Sequence, residues 1–168
     1  MSVSGLFTTS DLETISRAAR LAESLTCDFF NLPCDEWKQN PYRMLTIKNV
    51  SRDFHIDQVF AHVVRIQPAN KASNKSGQAD RYGVILQDPY ILRELFKTNS
   101  FDLWPLALYV MTHELTHIVR FKKFGIDFFA SENHRMNEES VVDGYTRDIL
   151  TGTVSSKKMD RYVKFGRF

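Results

Sequence analysis

The sequence predicts an α+β fold in a single domain. Three observations predict it. First, the 168 residues are 43% apolar and 25% charged, the balance of a globular chain long enough to bury a sizeable core. Second, the apolar periodicity is helical, then alternating, then helical again, which gives a helix, strands and further helices. Third, the segment Phe101 to Gly125 is apolar nearly all round a helix, so it must run through the middle of the fold. No repeat, low-complexity tract or linker divides residues 1–168.

The elements follow in order. Ser10-x-x-Glu13 has the form of a capping box. Behind it Leu12, Ile15, Ala18, Ala19, Ala22 and Leu25 recur at helical spacing, predicting a core-packing helix at about 11–27. Leu32 to Pro41 is turn-rich. Tyr42 to Lys48 and Gln58 to Gln67 read as extended, the second β-branched and mostly alternating. His55 and His62 fall here, and both read as structural histidines. Pro68 to Asp80 is polar and aperiodic, a surface loop. Arg81 to Gln87 reads as a third strand. Asp88-Pro89 then starts a short helix with Leu92, Leu95 and Phe96 on its apolar side. The long helix spans Leu103 to Phe124, bounded by Asp102, Pro105 and Gly125. Ile126 to Asn133 connects to a last helix, Met136 to Leu150, closed near Gly152.

Charge and composition narrow the function. A net charge of +2 is too balanced for a nucleic-acid or membrane-surface protein. The basic tail (Lys157, Lys158, Arg161, Lys164 and Arg167 against Asp160) reads as a solvated end. Residues 1–10 carry no charged or apolar signal region, and the charge-free run Leu103 to Met111 is far too short to span a membrane. Cys27 and Cys34 form neither a zinc ribbon nor a disulfide framework. Two reduced thiols fit a cytoplasmic protein.

The chemistry lies in His113-Glu114-Leu115-Thr116-His117, an H-E-x-x-H motif on the long helix. Residues four apart share a helix face, so His113 and His117 can aim two imidazoles at one ion. Glu114 can reach a water on that ion. Catalytic zinc sites take three protein ligands and leave one position open. The candidates for the third ligand are His134, Glu138 and Glu139. Glu139 is favoured, because Asp143 lies one turn further on the same face. Asp143 can accept a hydrogen bond from the far nitrogen of a ligand histidine. Glu138 has Val142 at that offset.

His113-Glu114-x-x-His117 followed by Asn137-Glu138-Glu139-Ser140-Val141-Val142-Asp143 resembles the gluzincin metallopeptidases, the thermolysin-like group, in its minimal single-domain form. The resemblance covers about 103–150. It implies a zincin-like fold with a small mixed or antiparallel sheet packed on the buried active-site helix. It implies zinc as the metal, with His113, His117 and Glu139 as ligands, Glu114 as general base and Asp143 behind a ligand histidine. It also implies a peptide or protein substrate, bound along an edge strand that Tyr82 to Gln87 would supply. Metzincins fit less well, since Arg120 and Lys123 stand where that group needs Gly and His. The larger gluzincins stabilise the oxyanion from a second domain. Tyr109, His134, Tyr145 and Tyr162 are the substitutes available here. Without such a donor, the alternative is a metal-binding regulatory or interaction domain that cuts nothing. Tyr162 to Phe168 looks extended, and by resemblance to proforms of minimal gluzincins it could lie in the cleft as a self-inhibiting segment.

Overall fold

The computed structural model describes residues 5–66, 81–97 and 102–166. The loop expected at 68–80 lies outside them. The fold is α+β, with six helices and a three-stranded mixed sheet.

Helix α1 spans Thr9–Phe30. Its capping box is formed by Thr8 and Asp11, two residues ahead of the expected Ser10 and Glu13. The Thr8 hydroxyl accepts from the Asp11 N–H, and the Asp11 carboxylate takes the Thr8 N–H at 2.8 Å. The helix buries Ile15, Ala18, Ala19 and Ala22, small side chains that let the long helix approach closely. Leu12, expected in the core, is 37% exposed. A left-handed Asn31 ends the helix (φ 51°). The turn-rich stretch contains one short helix, α2 (Glu36–Gln39), and β1 (Tyr42–Thr46) ends two residues before its expected limit in a 3-10 turn at Ile47–Asn49.

Strands β2 (Ala61–Ile66) and β3 (Arg81–Leu86) complete the sheet in the order β1-β3-β2. β1 runs parallel to β3 and β2 antiparallel to it. Tyr82 to Gln87 is the expected substrate edge, but β3 is the central strand. Its flanks are filled by both neighbours, and Tyr82, Val84, Ile85 and Leu86 are all buried. The edge beside the long helix is β2. Phe60 C=O accepts the Gln87 N–H at 2.9 Å, next to the Ala61↔Leu86 pair. Hydrogen-bonded pairs alternate in an antiparallel ladder. The backbone groups of His62, Val64 and Ile66 therefore face β3, while those of Ala61, Val63 and Arg65 face outwards.

Helix α3 spans Asp88–Lys97. Asp88 ties segments together: its carboxylate accepts from the Phe7 and Ile47 N–H groups at 3.3 and 3.2 Å. The helix buries Tyr90, Ile91 and Glu94, whereas Phe96, expected inside, is 77% exposed. Helix α4 (Leu103–Lys123) is buried from Leu106 to Val119, as its all-round apolarity requires. Arg120, Lys122 and Lys123 sit in its last turn, where the helix dipole favours cations. Gly125 then takes a positive φ of 65° and turns the chain away.

Helix α5 (Glu132–Leu150) starts four residues earlier than expected, after Ser131. Helix α6 (Ser156–Phe165) replaces the extended tail. Met159 and Tyr162 are buried in the core, and the Tyr90 hydroxyl donates to the Phe165 carbonyl. None of residues 156–166 lines the cleft described below. The segment Tyr162 to Phe168, expected to be extended, is helical as far as Phe165, and residues 167–168 lie outside the described residues. Among the described residues no helix is long and apolar enough to cross a membrane. Cys27 and Cys34 are both free thiols.

Candidate metal centre

Helix α4 presents His113 and His117 to Glu139 on α5. The two imidazole Nε2 atoms lie 3.2 Å apart. Glu139 Oε2 lies 3.2 Å from His113 Nε2 and 3.3 Å from His117 Nε2. A tetrahedral ion with bonds near 2.0–2.1 Å sets its ligand atoms about 3.3–3.4 Å apart. Two imidazoles and one carboxylate at this spacing form a group that could hold a metal ion.

The two histidines are held differently. His113 Nδ1 lies 3.2 Å from Asp143 Oδ1, so the expected carboxylate stands behind this ligand. Asp143 Oδ1 also accepts from the Tyr109 hydroxyl at 3.2 Å. Tyr109, His113 and His117 follow one another at four-residue steps, so they share a helix face. The Tyr109 ring is wholly buried and serves the ligand from behind, which removes it from the expected oxyanion donors. His117 Nδ1 is buried with no hydrogen-bond partner among the described residues. Its ring is stacked instead on Phe121, centroids 5.7 Å apart and planes at 19°. Phe121 in turn stacks on Tyr82 of β3 at 5.8 Å, which locks the helix to the sheet.

Protonation follows from these contacts. Burial alone would lower the basicity of His113, but hydrogen bonds to Asp143 and Glu139 overcome it and raise the pKa to about 9. Burial works to raise the Glu139 pKa. The hydrogen bonds from His113 and His117 outweigh it and hold the carboxyl well below the usual range. Burial pushes the Glu114 carboxyl up. That carboxylate has no hydrogen-bond partner among the described residues, and it faces the cleft in front of His117.

The other expected residues divide clearly. Glu138 is taken by Arg120 in a two-pronged ion pair, with Arg120 Nη2 to Oε2 at 2.9 Å. His134 lines the cleft, but its Nδ1 pairs with Ser131 Oγ at 2.7 Å, and it stands apart from the three ligands. Tyr145 packs between Phe29 and Phe30, and Tyr162 is buried against Tyr109. Of the four expected oxyanion donors only His134 reaches the cleft. The cleft itself holds about 1080 Å³. Ala61, His62 and Val63 of β2 form one wall, and Phe121, Phe128 and Phe129 form an apolar one. His62, expected as a structural histidine with nothing to place it near the metal, has Gln87 Nε2 3.3 Å from its Nδ1, and on the edge strand β2 it also lines the cleft. No signal local to His62 could have found it, because its position depends on strand order.

Comparison with family models, with curated proteins and with solved structures gives no match to this chain.

Proposed function

We propose that the chain is a zinc-dependent metallopeptidase with a zincin-like arrangement, gluzincin in its ligand order. The reading is carried by one observation: three ligand atoms lie at tetrahedral spacing, and two of the residues that supply them, His117 and Glu139, line a cleft with Glu114, whose carboxylate has no partner among the described residues. His113, His117 and Glu139 would hold the ion. A zinc ion supplies Lewis acidity and lowers the pKa of its water towards ~7. With the ion bound, Glu114 would serve as general base, taking the proton of an attacking water and passing it to the leaving amine. Its pKa, raised by burial, suits both halves of that task. Asp143 holds His113 in the tautomer that turns Nε2 towards the ion. The outward backbone groups of Ala61 and Val63 offer the start of a ladder to an extended peptide. A cleft of about 1080 Å³ suits several residues of chain better than a small amide.

The test is mass-spectrometric cleavage of a complex peptide mixture by the zinc-loaded protein, with Glu114→Gln alongside. Cleavage that disappears in the variant is expected. Peptides left intact by the zinc-loaded wild type would leave the alternative, a metal-binding interaction domain.

A further inference from the structure

His62 is fixed in one tautomer by a chain of hydrogen bonds that begins in the protein interior. Gln87 is wholly buried at the end of β3. Its Oε1 accepts the Ile56 N–H at 3.1 Å, which identifies that atom as the carbonyl oxygen of the amide. Its Nε2 donates to Phe54 C=O at 2.9 Å and lies 3.3 Å from His62 Nδ1. An amide nitrogen only donates, so His62 Nδ1 accepts. The ring proton of the neutral imidazole is then on Nε2. Burial lowers the His62 pKa and so favours this neutral form. No described residue occupies Nε2, and the ring lines the cleft that contains Glu114 and His117. The cleft wall therefore carries a pre-oriented N–H donor with no partner among the described residues.

We propose that His62 donates from Nε2 to the carbonyl oxygen of the peptide bond being cut, as an oxyanion donor carried by the edge strand. This deepens the peptidase reading and rests on it. A donor fixed before the substrate arrives needs no reorganisation as negative charge develops, and this makes such groups effective. The interior side of the ring is closed by Gln87, so the donor has one direction in which to act.

The experiment compares zinc-loaded wild type, His62→Phe and His62→Gln. The first readout is cleavage of a peptide that wild type cuts. The second is calorimetric binding of a phosphinic peptide, whose tetrahedral centre imitates the oxyanion. Removing one such donor lowers turnover by roughly 100-fold or more. His62→Phe should lose about that factor in kcat/KM, and a comparable factor in phosphinic-peptide affinity, with zinc affinity unchanged. His62→Gln, whose amide nitrogen falls near the place of Nε2, should recover a large part of both. The ¹⁵N spectrum of the imidazoles should show His62 as the Nε2–H tautomer. Equal cleavage and equal binding by wild type and His62→Phe would overturn the proposal and leave the peptidase reading standing. An Nδ1–H tautomer would overturn it as well. No cleavage and no phosphinic-peptide binding by wild type would remove the peptidase reading and this inference together.

Discussion

Asp143→Ala tests the metal centre most directly. Asp143 Oδ1 lies 3.2 Å from both His113 Nδ1 and the Tyr109 hydroxyl. Carboxylates behind a ligand histidine are typically worth ~10–100-fold in metal affinity. A second effect opposes the loss. The same carboxylate helps to raise the His113 pKa to about 9, so in the wild type a proton competes with the metal. At pH 7.5 that proton costs a factor of roughly 30 in affinity, about 2 kcal/mol. Removing Asp143 lowers the His113 pKa and relieves the competition. The expected deficit of Asp143→Ala is therefore pH-dependent: up to about 100-fold at pH 9.5, where the proton has largely left both proteins, and smaller at pH 7.5, where the variant is relieved of the part of the proton competition that Asp143 causes. Zinc competition against a chromophoric chelator at the two pH values measures both deficits. Equal affinity of variant and wild type at pH 9.5 would refute the role of Asp143. A deficit constant in pH would refute the account of proton competition.

Four further outcomes are expected. Glu114→Gln should lose roughly 10²–10⁴-fold in turnover while binding zinc as the wild type does, measured by peptide cleavage and chelator competition. The metal-free protein should weaken as pH rises. His113 has a raised pKa, so its contribution is complete below about pH 6.5 and is lost through about 9, up to roughly 3 kcal/mol, read by urea unfolding at pH 6 and 9.5; a flat profile would contradict this. Truncation after Lys158 removes buried Met159 and Tyr162, so it should destabilise the fold by at least about 3 kcal/mol rather than activate it. A stable truncation with raised cleavage would restore the self-inhibiting tail. Gly83→Val should cost about 1–3 kcal/mol in unfolding free energy, because even a Cβ there would lie 3.1 Å from Val64 Cγ2 and 3.2 Å from Ile66 Cδ1; an unchanged urea midpoint would show that those two side chains yield freely.

What the sequence made legible was local. Helices α4 and α5 carry their periodicity, their stops and the four-residue steps of their functional side chains in plain view. His113, His117, Glu139 and Asp143 accordingly come together as expected. Tyr109 obeyed the same spacing, and its place behind His113 could have been read from it. The start of α5 was hidden because its first turn is polar and its buried residues begin only at Val142. Helix α6 was hidden because Tyr162-Val163-Lys164-Phe165 alternates like a strand, although Met159 and Tyr162 already stand at helical spacing. Strand order was beyond reach. It is set by pairing between β1 and β3, whose partners lie forty residues apart. A one-place error in that order exchanged the central strand for the edge and left His62 outside the site.

Among the described residues no strand pairs with the outer flank of β2, and this has a consequence for the protein's behaviour in solution. A row of outward N–H and C=O groups does not distinguish a substrate from the same strand of a second molecule. Self-association along this flank should therefore compete with ligand, and grow with protein concentration.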